Sequence, residues 1–401
     1  MNACRAVLTF VLCGVIACDA NSDWETRSLP DDVGELGLSD HVWTSDVWEV
    51  VRCRIPPGIT DPVYAETERR LSASVASLIA AIEPVSEYFA RWSNGRYRPM
   101  FVPGSDVVLE VDDSAQTCVD QALDSSSDRA TGIIAIADAP HREDRAGGWT
   151  QPGRRCPDGR SPCAARLSRR GVYLGASDFW VLDDDSASQS PVPLDLVEHE
   201  MGHAFGWPHS SRGAPGAYDS SIDVMSDSAA PRRAVGETRD APGVLALHRL
   251  GAGWLDARQV KVLEPGTGII RLVLDGASSP SLTDGIAVII VQVADHVALT
   301  IEVVRAVGDN AHLARSGVAV HKWEWGPTIC PQSDGLCLGV NRRVTLLART
   351  DDGLLGVGES IDAEGVRIEV TALESIAGAP SAGTPSAERA DRMVARVALK
   401  G

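Results

Sequence analysis

The chain has 401 residues, enough for two domains of average size with substantial buried cores. It carries 37 Lys and Arg against 55 Asp and Glu, a formal net charge of −18, and no basic run stands out, so nucleic acid is excluded as an expected partner. A hydrophobic fraction of 44% is ordinary for a globular protein and excludes a wholly disordered chain.

The first eighteen residues have the architecture of an export signal. One Arg precedes an apolar stretch, Ala6 to Ala17, that is too short to span a bilayer as a mature helix. The segment from Val15 to Cys18 resembles the bacterial lipobox, in which the cysteine is lipidated and becomes the new amino terminus. We therefore expect a lipoprotein of the bacterial cell envelope that contacts the membrane only through the lipid on Cys18. A plain secretory signal cleaved nearby is the alternative, and it also places the chain outside the cytoplasm.

Residues 19–42 are acidic and lack periodicity, which predicts a flexible tether, with folded structure from Trp43 onwards. Hydrophobic patterning and turn residues then predict a series of elements. In chain order these are a strand at 46–55, a helix at 64–97 kinked or broken near Pro84, a strand at 106–111, a helix around 118–123, a buried strand at 132–137, and loop and edge-strand segments at 147–150 and 171–176. Alternation of strands and helices indicates an α/β or α+β domain.

Six cysteines lie outside the signal region, an even number for an oxidising compartment. Two pairs, Cys156–Cys163 and Cys330–Cys337, each flank a short polar loop and are predicted to form local disulfides. Cys53 and Cys118 are then left for a long-range disulfide. A zinc–thiolate cluster is the alternative, but neither close pair has the two-residue spacing of such a site.

The segment HEMGHAFGWPH, which begins at His199, contains the candidate metal-binding and catalytic residues. On a helix, His199 and His203 are offset by about 40°, so two imidazoles can share one ion while Glu200 lies beside it. Gly206 can adopt a left-handed conformation that ends the helix and lets His209 return as a third nitrogen ligand. The fourth position stays open for water. An ordinary histidine-containing helix would explain HExxH alone, but not the added glycine and third histidine.

The motif HExxHxxGxxH resembles the signature of the metzincin superfamily of zinc endopeptidases. Members carry a methionine turn beneath the metal, and YDSSIDVMSD supplies Met225 for that place. The sequence departs from some metzincins at Asp227, where they have a tyrosine. Tyr218 lies nearby and is a candidate for contact with the transition state or with the surroundings of the metal.

Within the superfamily the chain is most similar to gametolysin-like and immune-inhibitor-A-like peptidases. The similarity rests on the zinc motif, on YDSSIDVMS and on LHRLGAGWLDARQV at 247–260, and extends more weakly to ALTIEVVR and SGVAVHKWEW. It covers Trp43 to Leu373, with specific motifs only between His199 and Val260. The resemblance implies an α+β fold, in which a zincin catalytic domain of helices on a twisted mixed sheet covers 43–258.

Short β-branched runs between turn residues predict a β-sandwich-like accessory domain over 261–375. The histidines of this region have no ligand spacing and are expected on the surface or packed: His296, His312 and His321. Calcium in its Asp- and Gly-containing loops stays an open alternative, but no regular acidic loop supports it. Residues 376–401, rich in Ala, Gly, Pro and Ser, predict a low-complexity tail.

Together these features predict a secreted or lipid-anchored zinc endopeptidase with one catalytic Zn²⁺, and a monomer. Zinc would activate water and polarise the scissile carbonyl, and Glu200 would accept the water proton and deliver it to the departing amine. A protein or peptide substrate would lie extended along an edge strand, for which Gly147, Gly148 and Trp149 are the candidates.

Two other functions fit part of the pattern. One is a lipid-anchored zinc-containing binding or adhesion protein without peptidase activity, and the other is a zinc hydrolase that acts on something other than peptides. Structural zinc normally has all four positions filled, often by thiolates, whereas the motif supplies three ligands and a base. That difference favours the enzyme.

Overall fold

The computed structural model describes residues 24–27, 29, 33–36, 38, 42–64, 69–142, 148–151, 170–176, 179, 182, 192–213, 217, 219–226, 234–235, 238–239, 241–275, 285–329, 338–339, 341–376 and 392–401. The α-helices in this part of the chain are α1 (Val75–Ile82), α2 (Pro84–Trp92), α3 (Ala115–Ser125), α4 (Leu194–Ala204) and α5 (Ala246–Gly251). Short 3-10 helices lie at Val33–Leu36, Ala257–Gln259 and Gly308–Asn310.

The described strands are β1 (Glu25–Arg27), β2 (Val47–Arg54), β3 (Met100–Pro103), β4 (Val107–Val108), β5 (Gly132–Ala137), β6 (Trp149–Gln151), β7 (Arg170–Leu174), β8 (Val192–Pro193), β9 (Ser210–Ser211), β10 (Ala234–Val235), β11 (Thr238–Arg239), β12 (Val260–Glu264), β13 (Ile269–Asp275), β14 (Val288–Ala294), β15 (Val297–Val304), β16 (Gly317–Glu324), β17 (Thr328–Ile329), β18 (Leu338–Gly339), β19 (Arg343–Leu346), β20 (Ser360–Ala363), β21 (Val366–Ile376) and β22 (Arg392–Lys400). Several sheets with few helices make the fold α+β, as the sequence predicts.

The first half of the described chain is built on a six-stranded sheet in the order β3-β2-β5-β7-β6, with β4 also pairing to β2. All its pairs are parallel except β6, which runs antiparallel to β7 at the edge. Strand β5 is buried on both faces: Ile134 and Ile136 pack in one core cluster with Val197 of α4, and Ile133 packs in another with residues of α3. Its continuous apolar run therefore reflects cover on both sides.

The second half is a β-sandwich. A seven-stranded sheet, β1-β12-β14-β15-β16-β19-β9, and a four-stranded antiparallel sheet, β13-β22-β21-β20, contribute apolar side chains to one shared core. The opposite face of the seven-stranded sheet packs with α5 and its neighbours, through residues such as Leu247 and Leu250. Smaller sheets, β10-β11-β8 and β17-β18, complete the architecture.

Two expected unstructured segments contain strands. Within the predicted tether, β1 pairs antiparallel with β12. Trp24 is buried in the core of the sandwich, and Leu36 and Leu38 are buried in the core cluster that contains residues of α5. Within the predicted tail, β22 lies between β13 and β21, with Val397 and Leu399 in the core of the sandwich. Residues 25–27 of the predicted tether (19–42) and residues 392–400 of the predicted tail (376–401) are therefore strands rather than unstructured chain.

Other elements differ in their bounds. The predicted helix at 64–97 is two helices, α1 and α2, and it starts only at Val75, where the Ser74 side chain caps the first turn. Strand β7 is an internal strand rather than an edge. The predicted disulfide between Cys53 and Cys118 is confirmed, with the two Cα atoms 6.0 Å apart. Within the described part of the chain, none of the helices combines the length and the apolar character that crossing a membrane requires.

Candidate metal centre

Helix α4 carries the first half of the zinc motif. All its residues except His203 are buried, so the helix is held on both sides. It ends at Ala204, and Gly206 follows with a φ of 83°, the left-handed conformation predicted for this glycine. Phe205, between them, packs edge-on against Phe89, Tyr97 and Trp254. The carboxyl end of α4 is thus anchored in an aromatic cluster. After Gly206 the chain reverses direction and runs back alongside the last two turns of α4.

This turn brings three imidazoles together. Nε2 of His209 lies 3.2 Å from Nε2 of His199 and 2.7 Å from Nε2 of His203. One ligand nitrogen from each ring lies within 4.8 Å of the others, and the three residues form a group that could hold a metal ion. His199 is buried, while the other two are partly exposed, which leaves the site reachable from solvent.

Hydrogen bonds at the far side of two rings set their tautomers. Nδ1 of His199 lies 2.8 Å from the carbonyl oxygen of Val224, and Nδ1 of His203 lies 2.9 Å from that of Trp207. A carbonyl can only accept, so Nδ1 carries the hydrogen in both rings and Nε2 carries a lone pair when the ring is neutral. Both lone pairs face His209. Metal-binding histidines are oriented by such bonds to their other nitrogen.

The spacing can be compared with that of bound zinc. Tetrahedral nitrogen ligands at about 2.0–2.1 Å from zinc lie about 3.3–3.4 Å from each other. The pair His199–His209 is close to that value, and the pair His203–His209 is tighter by about 0.6 Å. Burial, followed by the nearby His199 and His209, holds the pKa of His203 well below its usual value, so this ring is neutral at pH 7. Neutral imidazole is the form that binds a metal.

The carboxylate of Glu200 lies between α4 and the edge strand β6. Thr150 Oγ1 is 2.8 Å from Glu200 Oε2 and 2.6 Å from the Glu200 carbonyl oxygen. A Cβ on Gly148 would lie 2.9 Å from Glu200 Cγ and 2.7 Å from the carbonyl oxygen of Tyr173. The strand therefore passes so close to the helix that position 148 has no room for a side chain. The candidate base and the candidate substrate strand adjoin each other.

Met225 lies on the other side of the helix. It is fully buried, and a Cβ on Gly202 would be 2.5 Å from its Sδ. Its carbonyl oxygen accepts a hydrogen bond from the N–H of Ser210, the residue after His209. The Met225 side chain thus packs against α4 at Gly202, the residue before His203, and its carbonyl oxygen binds the N–H of Ser210, the residue after His209. This is the region in which the resemblance expects a methionine turn.

Several predicted site residues cannot be placed. Trp149 is the first residue of β6, and the candidate Gly148 directly precedes it. The candidates that fall outside the described residues are Cys18, Gly147, Cys156, Cys163, Tyr218, Asp227, Cys330 and Cys337. Their assignments stay predictions.

Sequence reasoning missed a buried group behind the third histidine. Ser210 Oγ donates a hydrogen bond of 2.6 Å to Asp223 Oδ2, and His248 Nε2 lies 3.1 Å from the same oxygen. Ser210 and Asp223 lie in or beside segments that the motifs had singled out, but no spacing rule connects them with His248. Only the fold brings them together.

Comparison with known proteins adds no family. No family model matches the chain, and no curated protein matches it. Among solved structures, one titled "Structure of a chaperone-substrate complex" is similar at 13% identity and a TM-score of 0.27, covering 52% of this chain and 34% of that one. The chain spans about a third of the length of that structure. A likeness this weak carries no argument about fold or function.

Proposed function

We propose that this protein is a zinc-dependent endopeptidase of the metzincin type. The observation that carries the proposal is the convergence of His199, His203 and His209, with Glu200 directly beside them and against an edge strand. When bound by three neutral imidazoles, zinc lowers the pKa of a coordinated water and polarises a carbonyl oxygen. Three nitrogen ligands and a free fourth position are typical of catalytic rather than structural zinc.

Each residue of the site then has a distinct task. The imidazoles of His199 and His203, each bonded through Nδ1 to a carbonyl oxygen, would bind the ion through Nε2, and His209 would be the third ligand. The Glu200 carboxylate accepts a proton from the attacking water and returns it to the amine that leaves. Strand β6 pairs with β7 and is the last of the described strands in its sheet, so we propose that an extended peptide binds along its other edge by backbone hydrogen bonds.

The sequence also supports a place of action. The amino-terminal signal and the Val15–Cys18 lipobox favour an exported, lipid-anchored enzyme of the cell envelope. The disulfide between Cys53 and Cys118 agrees with an oxidising compartment. A binding protein that keeps zinc for structure is the competing proposal, and the contact of Glu200 with β6 argues against it, because a structural site has no need of a base.

The test is digestion of a denatured protein mixture by the purified chain, with and without a chelator, beside the Glu200→Gln variant. We expect cleavage that the chelator abolishes and added Zn²⁺ restores. Glu200→Gln should retain one equivalent of zinc and lose turnover by at least about 100-fold, the lower range for general acid–base catalysis. Bound zinc with no cleavage by the wild type would favour the binding protein, and wild-type rates in Glu200→Gln would remove the assigned base.

A further inference from the structure

The third histidine is delivered by a segment that belongs to the β-sandwich. Ser210 and Ser211, which follow His209, form β9 and pair in parallel with Val344 and Thr345 of β19, at the edge of the seven-stranded sheet. The ligands on α4 belong to the first half of the fold. The metal centre is therefore assembled across the contact between the two halves.

Arginine side chains strengthen this attachment on both sides of β9. Before it, Arg342 donates to the carbonyl oxygen of Gly206. After it, Arg343 Nη2 donates to the carbonyl oxygen of Gly213 at 3.1 Å, and Arg212 donates to Thr350 and, at 2.8 Å, to Asp351. Hydrogen bonds from a charged donor are stronger than neutral ones. The chain from Gly206 to Gly213 is thus tied to the sheet at several points.

Asp223 ties the same segment to the methionine-bearing turn and to α5. It is fully buried, and its Oδ2 accepts from Ser210 Oγ at 2.6 Å and from His248 Nε2 at 3.1 Å. Ser210 also donates its N–H to Met225, so its backbone and side chain are both held. Burial acts to raise the pKa of Asp223, but His248 and the two hydrogen bonds outweigh it and the pKa is lowered, which keeps the carboxylate charged. A charged acceptor holds a hydroxyl more firmly than a neutral one.

We propose that Asp223 is a positioning residue for the metal: through Ser210 it holds His209 at the distance from His199 and His203 at which the three nitrogens can share one ion. The inference rests on the proposed metal site, and it extends that site to Asp223, His248 and the seven-stranded sheet. Residues behind metal-binding histidines commonly change metal affinity about 10- to 100-fold when they are removed.

The test measures zinc affinity of the full chain by competition with a chromophoric chelator. Ser210→Ala removes only the hydroxyl, and Asp223→Asn removes the charge at nearly constant shape. Ser211→Ala is the matched control, because Ser211 is buried in the same strand and has no hydrogen bond to Asp223. We expect both test variants to bind Zn²⁺ about 10- to 100-fold more weakly while Ser211→Ala keeps wild-type affinity. Cobalt-substituted protein should show an altered visible spectrum in the test variants alone.

Thermal unfolding of the metal-free proteins separates positioning from folding. Ser210→Ala should lower the melting temperature, because the buried Asp223 carboxylate loses a hydrogen bond, but it should leave the protein folded. A weaker zinc affinity in this folded variant supports the proposal even if Asp223→Asn unfolds. Unchanged affinity in Ser210→Ala, or an equal loss in Ser211→Ala, overturns it. A wild-type chain that takes up no Zn²⁺ overturns the proposed function as well, whereas wild-type uptake with unchanged Ser210→Ala affinity overturns this inference alone.

Discussion

The hydroxyl of Thr150 lies 2.8 Å from Oε2 of Glu200, so the edge strand β6 and the metal-site helix meet at the candidate base. The same hydroxyl is 2.6 Å from the Glu200 carbonyl oxygen, and its single hydrogen is shared between the two acceptors while Glu200 is ionised. One carboxylate oxygen is thereby held against the strand. Under the proposed function, the same carboxylate would accept a proton from the water that zinc holds.

Thr150→Val should therefore lower kcat about 10- to 100-fold, because a hydrogen bond to a charged group contributes about 1.5–3 kcal/mol. Valine keeps the shape of threonine, so zinc content and KM should stay near wild type. Thr150→Ser restores the hydroxyl and should recover most of the rate. Steady-state kinetics on a peptide substrate give both constants, and a Thr150→Val enzyme with wild-type kcat would contradict the role of this contact.

The closeness of β6 to the helix gives a second prediction, at Gly148. A Cβ there would overlap the backbone of Tyr173 and the side chain of Glu200, so Gly148→Ala must push the strand away from both. Overpacking of this kind costs about 1–3 kcal/mol, and we expect kcat/KM to fall by at least about tenfold. Gly213→Ala is the control, because among the described residues its Cβ would meet nothing nearer than an Asp219 oxygen at 3.7 Å. Equal activity of the two variants would show that the approach of β6 does not matter.

The buried Glu302 predicts a specific dependence of stability on pH. Burial raises its pKa from 4.5 to about 7, against the opposing effects of the Ala246 N–H and Arg249. Between pH 4.5 and 7 the unfolded chain loses this proton while the folded protein keeps it, so the group lowers stability as pH rises. Glu302→Gln should gain stability relative to wild type over that interval, by up to about 1.4 kcal/mol per pH unit, and then level off. Urea unfolding at a series of pH values measures the difference.

His321 should produce the opposite slope. Burial lowers its pKa from 6.5 to about 4. As pH falls through this range, the histidine binds a proton in the unfolded chain but stays neutral in the folded protein. Wild type should lose stability relative to His321→Gln between pH 6.5 and 4. The stability difference from wild type should change with pH in opposite directions for Glu302→Gln and His321→Gln. If it changes in the same direction for both variants, the burial of both groups is incorrectly described.

The segment that begins at Trp24 predicts a stability effect far from the three histidines. Trp24 is buried in the sandwich core, and its Nε1 donates to the carbonyl oxygen of Gly268. Trp24→Ala should destabilise the protein by about 3 kcal/mol, within the range for large-to-small core changes. Thr26→Ala, at an exposed position in β1, should change the melting temperature little. Equal melting temperatures of Trp24→Ala and Thr26→Ala would contradict the burial of Trp24 and favour the predicted tether.

The sequence predicts the grouping of the three histidines well because the residues that form it are close together in the chain. Helical periodicity places His199 and His203, and Gly206 makes the turn that returns His209, all within eleven residues. The contacts of Asp223 with Ser210 and His248 join residues 13 and 25 positions apart, and no short pattern encodes them. Strand β1 was missed because its own residues are exposed and polar, and it forms by pairing with β12, which lies more than 200 residues away in the sequence.

Strand β22 is the last in sequence order and yet lies in the middle of its sheet, between β13 and β21. Among the described strands, β22 is the one that pairs with β13 in that sheet, so β13 can join this sheet only after residues 392–400 have been synthesised. Proteolysis that removed these nine residues would therefore split the sheet at its centre and leave Leu272 and Leu274 exposed, whereas removal of an edge strand would only narrow it.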